Sequence, residues 1–232
     1  MNIRGIHKTS LIDFPGRIST VLFTGGCNLR CRYCHNPGLV CGWDDLRLTS
    51  NEEVIEILKK RIHVIDGVTI SGGEPTLSRG ILPFLEQVKA LSLEVKIDTN
   101  GLNPAALRRI IEGRLVDYVA IDLKTSPGKY QDLTGAAVDF SAIRESIDLV
   151  RDSGTSYEIR TTCVPGYVTL EDFELIRAAI GRVARYALQQ FNPGVPLIDH
   201  SCEDIEPYPI ETLQRFRELV LTFADECEIR GL

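Results

Sequence analysis

The chain contains no apolar run approaching the roughly 20 residues that a membrane-spanning helix needs. It has no excess of positive charge either: 26 Lys and Arg stand against 32 Asp and Glu, a formal net charge of −6. Nonspecific attraction to nucleic acid or to an anionic membrane is thereby disfavoured. No internal repeat, low-complexity tract or linker rich in Pro, Gly or Ser interrupts the 232 residues. The opening Met1-Asn2-Ile3-Arg4-Gly5 lacks a signal-peptide core, so the cytoplasm is the expected compartment. A disulfide framework is also missing, because the seven cysteines are an odd number and three of them are crowded together. Trp43 is the only tryptophan and reads as a packing residue, and His7, His63 and His200 show no partner spacing.

What the chain does have is an ordinary globular composition, 44% hydrophobic and 25% charged. Short apolar runs alternate with helix-length amphipathic segments, the pattern of successive βα units around a mostly parallel sheet. Six strands are expected, at Arg17 to Thr24, Val68 to Ile70, Glu94 to Asp98, Tyr118 to Leu123, Tyr157 to Val164 and Tyr186 to Phe191. Helices are expected at about Asn51 to Ile62, Gly80 to Leu91, from Pro104, Ser141 to Asp152, Leu170 to Val183 and Pro209 to Ala224, with Ser50 capping the first. Six strands are too few for a closed eight-stranded barrel and suit an open, partial one. Polar and glycine-rich residues follow the strand ends: Cys27, Gly72-Gly73-Glu74, Asp98-Thr99-Asn100-Gly101, Asp122 with Lys124, Arg160 and Asn192. Ligands of parallel α/β folds bind at that edge, so six separate segments point to one site.

The densest segment is Gly26-Cys27-Asn28-Leu29-Arg30-Cys31-Arg32-Tyr33-Cys34-His35-Asn36, with C-x3-C-x2-C spacing. Soft thiolates select iron–sulfur clusters, zinc or Cu(I), and three of them leave one metal position open. A structural zinc site completed by Cys41 or His35 is the plain alternative. Gly72-Gly73 reads either as a tight turn or as backbone that a ligand can approach, with carbonyls that accept from an ammonium group. Asp98 and Asp122 read alone as strand-end caps, Lys124 as a solvated charge, and Cys163, Cys202 and Cys227 as structural thiols.

Taken together, these segments resemble the radical S-adenosylmethionine (SAM) enzymes. The cysteine stretch looks like that superfamily's C-x3-C-x-aromatic-C signature, and Gly72-Gly73-Glu74-Pro75 looks like its methionine-amine motif. The opening Ser10-Leu11-Ile12-Asp13-Phe14-Pro15-Gly16, the Asp98-Thr99-Asn100-Gly101 turn and Asp122-Leu123-Lys124 narrow the resemblance to glycyl-radical-enzyme activases. Tyr157-Glu158-Ile159-Arg160-Thr161-Thr162 and Leu188-Gln189-Gln190-Phe191 look most like anaerobic ribonucleoside-triphosphate reductase activating proteins. The resemblance implies a partial, open (β/α)6 barrel forming a single domain over residues 1–232, with the cluster loop at about 25–36 and a C-terminal helix and tail at about 207–232.

The resemblance also implies roles. Cys27, Cys31 and Cys34 would ligate a [4Fe–4S] cluster whose remaining iron takes the amino and carboxylate groups of SAM. Tyr33 would pack near the adenine, and Gly72, Gly73 and Glu74 would hold the ammonium. Asp98, Thr99 and Asp122 would hold a monovalent cation beside the SAM carboxylate, with Lys124 and Arg160 near carboxylate and ribose. Asn192 falls where the pyruvate formate-lyase activating enzyme has a histidine, and Asp13 lies in a segment expected to face the partner. The implied reaction takes one electron from a flavodoxin or ferredoxin, cleaves SAM to methionine and a 5′-deoxyadenosyl radical, and abstracts hydrogen from a glycine of the partner. Competing readings are an activase of pyruvate formate-lyase, a small-molecule enzyme such as 7-carboxy-7-deazaguanine synthase, and a non-catalytic metal-binding module. The ferredoxin-like cysteine-rich insertion that some activases carry is absent.

Overall fold

A computed structural model describes residues 1–232. Eight strands form one sheet in chain order: β1 Ile3–Ser10, β2 Ser19–Thr24, β3 Gly67–Gly72, β4 Glu94–Thr99, β5 Tyr118–Asp122, β6 Ser156–Cys163, β7 Val183–Gln190 and β8 Ala224–Arg230. β1 is antiparallel to β2, and every later pair is parallel. The carboxyl ends of seven strands therefore share one edge. β1 and β8 are the outer strands of that order, so the sheet is open.

The expectation of six strands is corrected to eight. β1 is half-exposed along most of its length, and β8, expected to be a tail, reads Ala-Asp-Glu-Cys-Glu-Ile-Arg, which has little intrinsic strand preference. Both strands exist because each has a neighbour to pair with.

Eight α-helices follow the strands: α1 Pro37–Cys41, α2 Asn51–Lys59, α3 Ile81–Lys89, α4 Pro104–Glu112, α5 Tyr130–Thr134, α6 Phe140–Ser153, α7 Leu170–Ile180 and α8 Ile210–Val220. The Ser50 hydroxyl accepts from the Glu53 amide (3.2 Å) and starts α2 as expected. Two expected helices run into the strand that follows. α7 stops at Gly181, whose φ of +68° suits glycine, and Val183 belongs to β7; α8 stops at Val220, and Ala224 opens β8.

Strand alternation sorts the two faces of the sheet. Val68, Ile70, Val95, Ile97, Val119, Ile121 and Ile159 join helix residues such as Leu58, Phe84, Ile110, Ile147 and Phe173 in a core cluster of 42 buried side chains. The alternate residues, Lys96 and Asp98 on β4, Tyr118 and Asp122 on β5, and Glu158 and Arg160 on β6, face the other way. They line a polar, curled interior. The curl is visible in hydrogen bonds across the mouth. The loop after β2 reaches the segment after β5 (Arg30 amide to the Thr134 carbonyl, 2.8 Å; Arg32 amide to the Leu133 carbonyl, 3.0 Å) and the one after β7 (Asp199 amide to the Arg32 carbonyl, 2.9 Å). At the opposite end Phe14 lies 6.0 Å from the Tyr118 ring, at the start of β5.

Candidate active site

The cysteine loop is held by backbone hydrogen bonds, so its side chains can face inward. Cys27, Cys31 and Cys34 all line one cavity of ≈ 190 Å³ at the carboxyl edge. Burial pushes all three thiols up, Cys31 to about 12. Such thiols are proton-bearing at neutral pH, and a metal that binds them must displace those protons. No three His, Cys, Asp or Glu side chains close around a point sized for one ion. Neither fourth ligand of the zinc alternative completes a set: Cys41 is exposed and outside the cavity, while His35 has Nε2 3.1 Å from the Asn192 carbonyl and stacks on Phe191. What the three thiols share is the wall of a cavity, which fits a multi-iron cluster better than a tetrahedral ion.

The glycines at the end of β3 make room for the chain itself. A Cβ on Gly73 would lie 2.0 Å from the Gly26 carbonyl oxygen, and one on Gly72 (φ +109°) would lie 2.5 Å from the Thr24 nitrogen. This crossing lets the Gly73 amide donate to Thr24 (2.8 Å) and the Glu74 amide to Gly26 (2.8 Å), fixing the start of the cysteine loop. The Gly73 carbonyl accepts no hydrogen bond from within the chain. Glu74, 2% exposed, is a brace. Its Oε1 accepts from the Thr76 amide (3.0 Å), the Thr76 hydroxyl (2.6 Å) and the Thr99 hydroxyl (2.7 Å), and its Oε2 from the Asn100 amide (2.7 Å). Burial raises the Glu74 carboxyl against those four donors.

A chain of alternating charges crosses three strands. Lys96 Nζ meets Asp98 Oδ1, Asp98 Oδ2 meets an Arg160 nitrogen (3.2 Å), Arg160 Nε meets Asp122 Oδ1 (2.8 Å), and Asp122 Oδ2 meets Lys124 Nζ (3.0 Å). Register explains the contacts: Asp122 and Arg160 are direct partners across the β5–β6 pair. Burial alone would raise both carboxyls, yet Arg160 with Lys96 holds Asp98 below its ordinary value, and Arg160 with Lys124 holds Asp122 well below its own. Both carboxylates are thus spent on side-chain cations. The expectation of a monovalent cation at Asp98 and Asp122 meets carboxylates whose every oxygen already faces a positive nitrogen.

Most of the expected residues come together. Tyr33, Gly72, Gly73, Glu74, Asp98, Thr99, Asp122, Lys124 and Arg160 line the cavity with the three cysteines. Tyr33 is buried and its hydroxyl has no partner. Two residues lie elsewhere. Asn192 is exposed and turns its side chain back to the Gly194 amide (2.9 Å), while Asp13, bonded to Ser10 (2.5 Å), sits at the amino edge of the strands. Asn100, Thr162 and Gln189 also line the cavity. Asn100 was legible in its turn motif; Thr162 and Gln189 are the inward alternates of their strands. A larger groove of ≈ 820 Å³ lies between α4 and α6, among solvated charges and beside the amino ends of β5 and β6 rather than the carboxyl edge.

A family model described as Radical SAM superfamily matches residues 21–179. A protein of Methanocaldococcus jannaschii, provisionally named a glycyl-radical enzyme activating enzyme, is 34% identical over 222 residues, covering 94% of this chain and 89% of the relative. The pyruvate formate-lyase-activating enzyme of Clostridium pasteurianum is 31% identical over 168 residues, covering 70% of this chain and 68% of its own. Among solved structures, Streptococcus suis SuiB bound to S-adenosylmethionine has a TM-score of 0.69 at 17% identity, a likeness of fold. This alignment takes in 89% of the present chain but only 48% of SuiB, about half its length.

Proposed function

The chain belongs to the radical SAM superfamily, and from that membership we propose that it is a glycyl-radical-enzyme activase whose site is the cavity at the carboxyl edge of the sheet. Enzymes of this superfamily use a [4Fe–4S] cluster and SAM. The residues present suit both. Three soft thiolate donors share one wall, the Gly73 carbonyl is available to an ammonium group, and the buried Tyr33 hydroxyl awaits a polar partner. When bound, the reduced cluster supplies the electron that cleaves SAM and so the radical chemistry that removes a hydrogen atom from a glycine.

The chain's own residues then have defined tasks. Cys27, Cys31 and Cys34 would hold the cluster through their thiolates. Gly72 and Gly73 place backbone beside the SAM amine, and Glu74 acts through the loops it braces. The charge chain presents three cations and two carboxylates, a net +1 that favours the SAM carboxylate. Tyr33 packs near the adenine. Leu29 and Val40, both nearly inaccessible, keep water from that wall. The unpaired outer strands leave a side through which a polypeptide can reach the interior.

The observation that carries this reading is the meeting of strand ends from β2 to β7 around the three thiols in one cavity. Anaerobic reconstitution with iron and sulfide, followed by EPR of the reduced protein with and without SAM, tests it. A [4Fe–4S]+ signal that changes on adding SAM is expected, with formation of 5′-deoxyadenosine; no such signal rejects the reading. C31A is expected to lose the signal and the cleavage together.

The partner is read as anaerobic ribonucleoside-triphosphate reductase, on the Tyr157–Thr162 and Leu188–Phe191 stretches. A second reading, pyruvate formate-lyase, is favoured by the likeness to the Clostridium pasteurianum enzyme. Mixing the reduced, SAM-loaded protein with each candidate separates them, because only the true partner gains a glycyl-radical EPR doublet. Flavodoxin or ferredoxin is the proposed donor and the cytoplasm the proposed compartment; no helix is long and apolar enough to cross a membrane.

A further inference from the structure

Lys96 is only 1% exposed, although lysine is almost never fully buried without a partner. It stands on β4 two residues before Asp98, on the same inward face, and its ammonium meets Asp98 Oδ1. Its other neighbour is the face of Tyr118, its register partner on β5, with Nζ 6.0 Å from the ring centroid. The nearby acid on β6, Glu158, is engaged by the Tyr118 hydroxyl and by Arg230. Lys96 does not line the cavity. It lies beneath the cavity floor and can act on a ligand only through Asp98.

Counting charge shows what that position does. Arg160 and Lys124 alone would leave Asp98 and Asp122 just neutralised, and a carboxylate ligand would meet a charge chain with no net charge. Lys96 raises the total to +1. A mobile ion at the same carboxylates would serve the same purpose, but it would now add a fourth cation to a site that already has three.

We propose that Lys96 is a built-in counter-cation, occupying the electrostatic place of a free monovalent ion at the Asp98–Asp122 pair. It is a positioning residue: it fixes Asp98 and the charge of the site so that the carboxylate of SAM is received without an added ion. The role toward SAM rests on the radical SAM reading; the exclusion of a free ion does not.

The test compares wild type with K96M in chloride salts of tetramethylammonium, sodium and potassium at constant ionic strength. Thermal unfolding of cluster-free protein is the first readout. Wild type is expected to unfold at the same temperature in all three salts. K96M leaves a buried carboxylate oxygen uncompensated, so it should unfold lower in tetramethylammonium and recover saturably with potassium or sodium, by roughly 3 °C once the site fills. The second readout is 5′-deoxyadenosine formation by cluster-loaded protein, photoreduced so that no sodium enters with the reductant. K96M should fall by on the order of tenfold in tetramethylammonium and regain most of that with potassium, while wild type stays flat. Saturable stabilisation of wild type by potassium overturns the proposal, as does a K96M defect that neither ion relieves. Should K96M not fold, the wild-type titration decides alone. Loaded wild type that cleaves no SAM in any salt rejects the radical SAM reading, while the cluster-free titration still judges Lys96.

Discussion

At the scale of single residues, the site is built as much by what holds its walls as by what faces its ligand. Gly73 is the sharpest case. Its missing Cβ allows the chain after β3 to cross the start of the cysteine loop at backbone contact. G73A is therefore expected to push that loop outward, costing about 1–3 kcal/mol, and to lower the iron retained after reconstitution. Iron per chain and thermal unfolding measure the two effects. Glu74 was legible as a site residue but not as a brace, because its partners Thr99 and Asn100 come from the end of β4 and the turn that follows it. Asp122 gives the pH dependence. Burial opposes its charge, Arg160 and Lys124 outweigh burial, and the folded carboxyl titrates below its ordinary 3.8. A depressed acid contributes stability that is complete above the unfolded value and is lost as pH falls through the folded one. The denaturation midpoint of wild type should thus drop as pH falls below 3.8, and D122N should drop less steeply. Glu74, raised by burial, has the opposite sign: its contribution declines as pH rises from 4.5.

At the scale of elements, β8 matters beyond its edge position. Arg230 reaches past β7 to Glu158 on β6, making bonds of 3.0 and 2.6 Å to a carboxylate that is 0% exposed. Removing the arginine strands that charge, so R230M is expected to destabilise the fold by about 2–3 kcal/mol, discounted for the partial exposure of Arg230. Adding E158Q should restore part of the loss, and urea denaturation of the single and double variants reads the coupling. The six central strands were legible because buried parallel strands are continuous apolar runs between turn signals. The two outer ones were not. Their residues are those of loops, and pairing supplied what propensity lacked.

At the scale of the whole molecule, the core between sheet and helices is separate from the cysteine loop. Of the loop residues, only Tyr33 joins a hydrophobic cluster, the small one with Leu133, Phe191 and Leu197. The sheet should therefore fold without the cluster. Hydrogen exchange is expected to show the amides of β3 to β6 equally protected with and without it, while those of residues 25–36 become markedly slower once cluster and SAM are bound. Equal loss of protection throughout the cluster-free chain would contradict this division.

The sequence by itself determined what covalent spacing can determine. Three thiols seven residues apart from first to last must share a loop. Apolar runs alternating with amphipathic segments must become strands and crossover helices, and polar residues after those runs must arrive at one edge. Only the tertiary structure decided which charges neutralise one another. Lys96 and Asp98 share a face by alternation, but that face is inward only because the sheet curls, and Arg160 finds Asp122 only through the β5–β6 register. Register and curl are settled by packing across segments far apart in the chain, so the cavity's charge, and with it the role of Lys96, belongs to the fold.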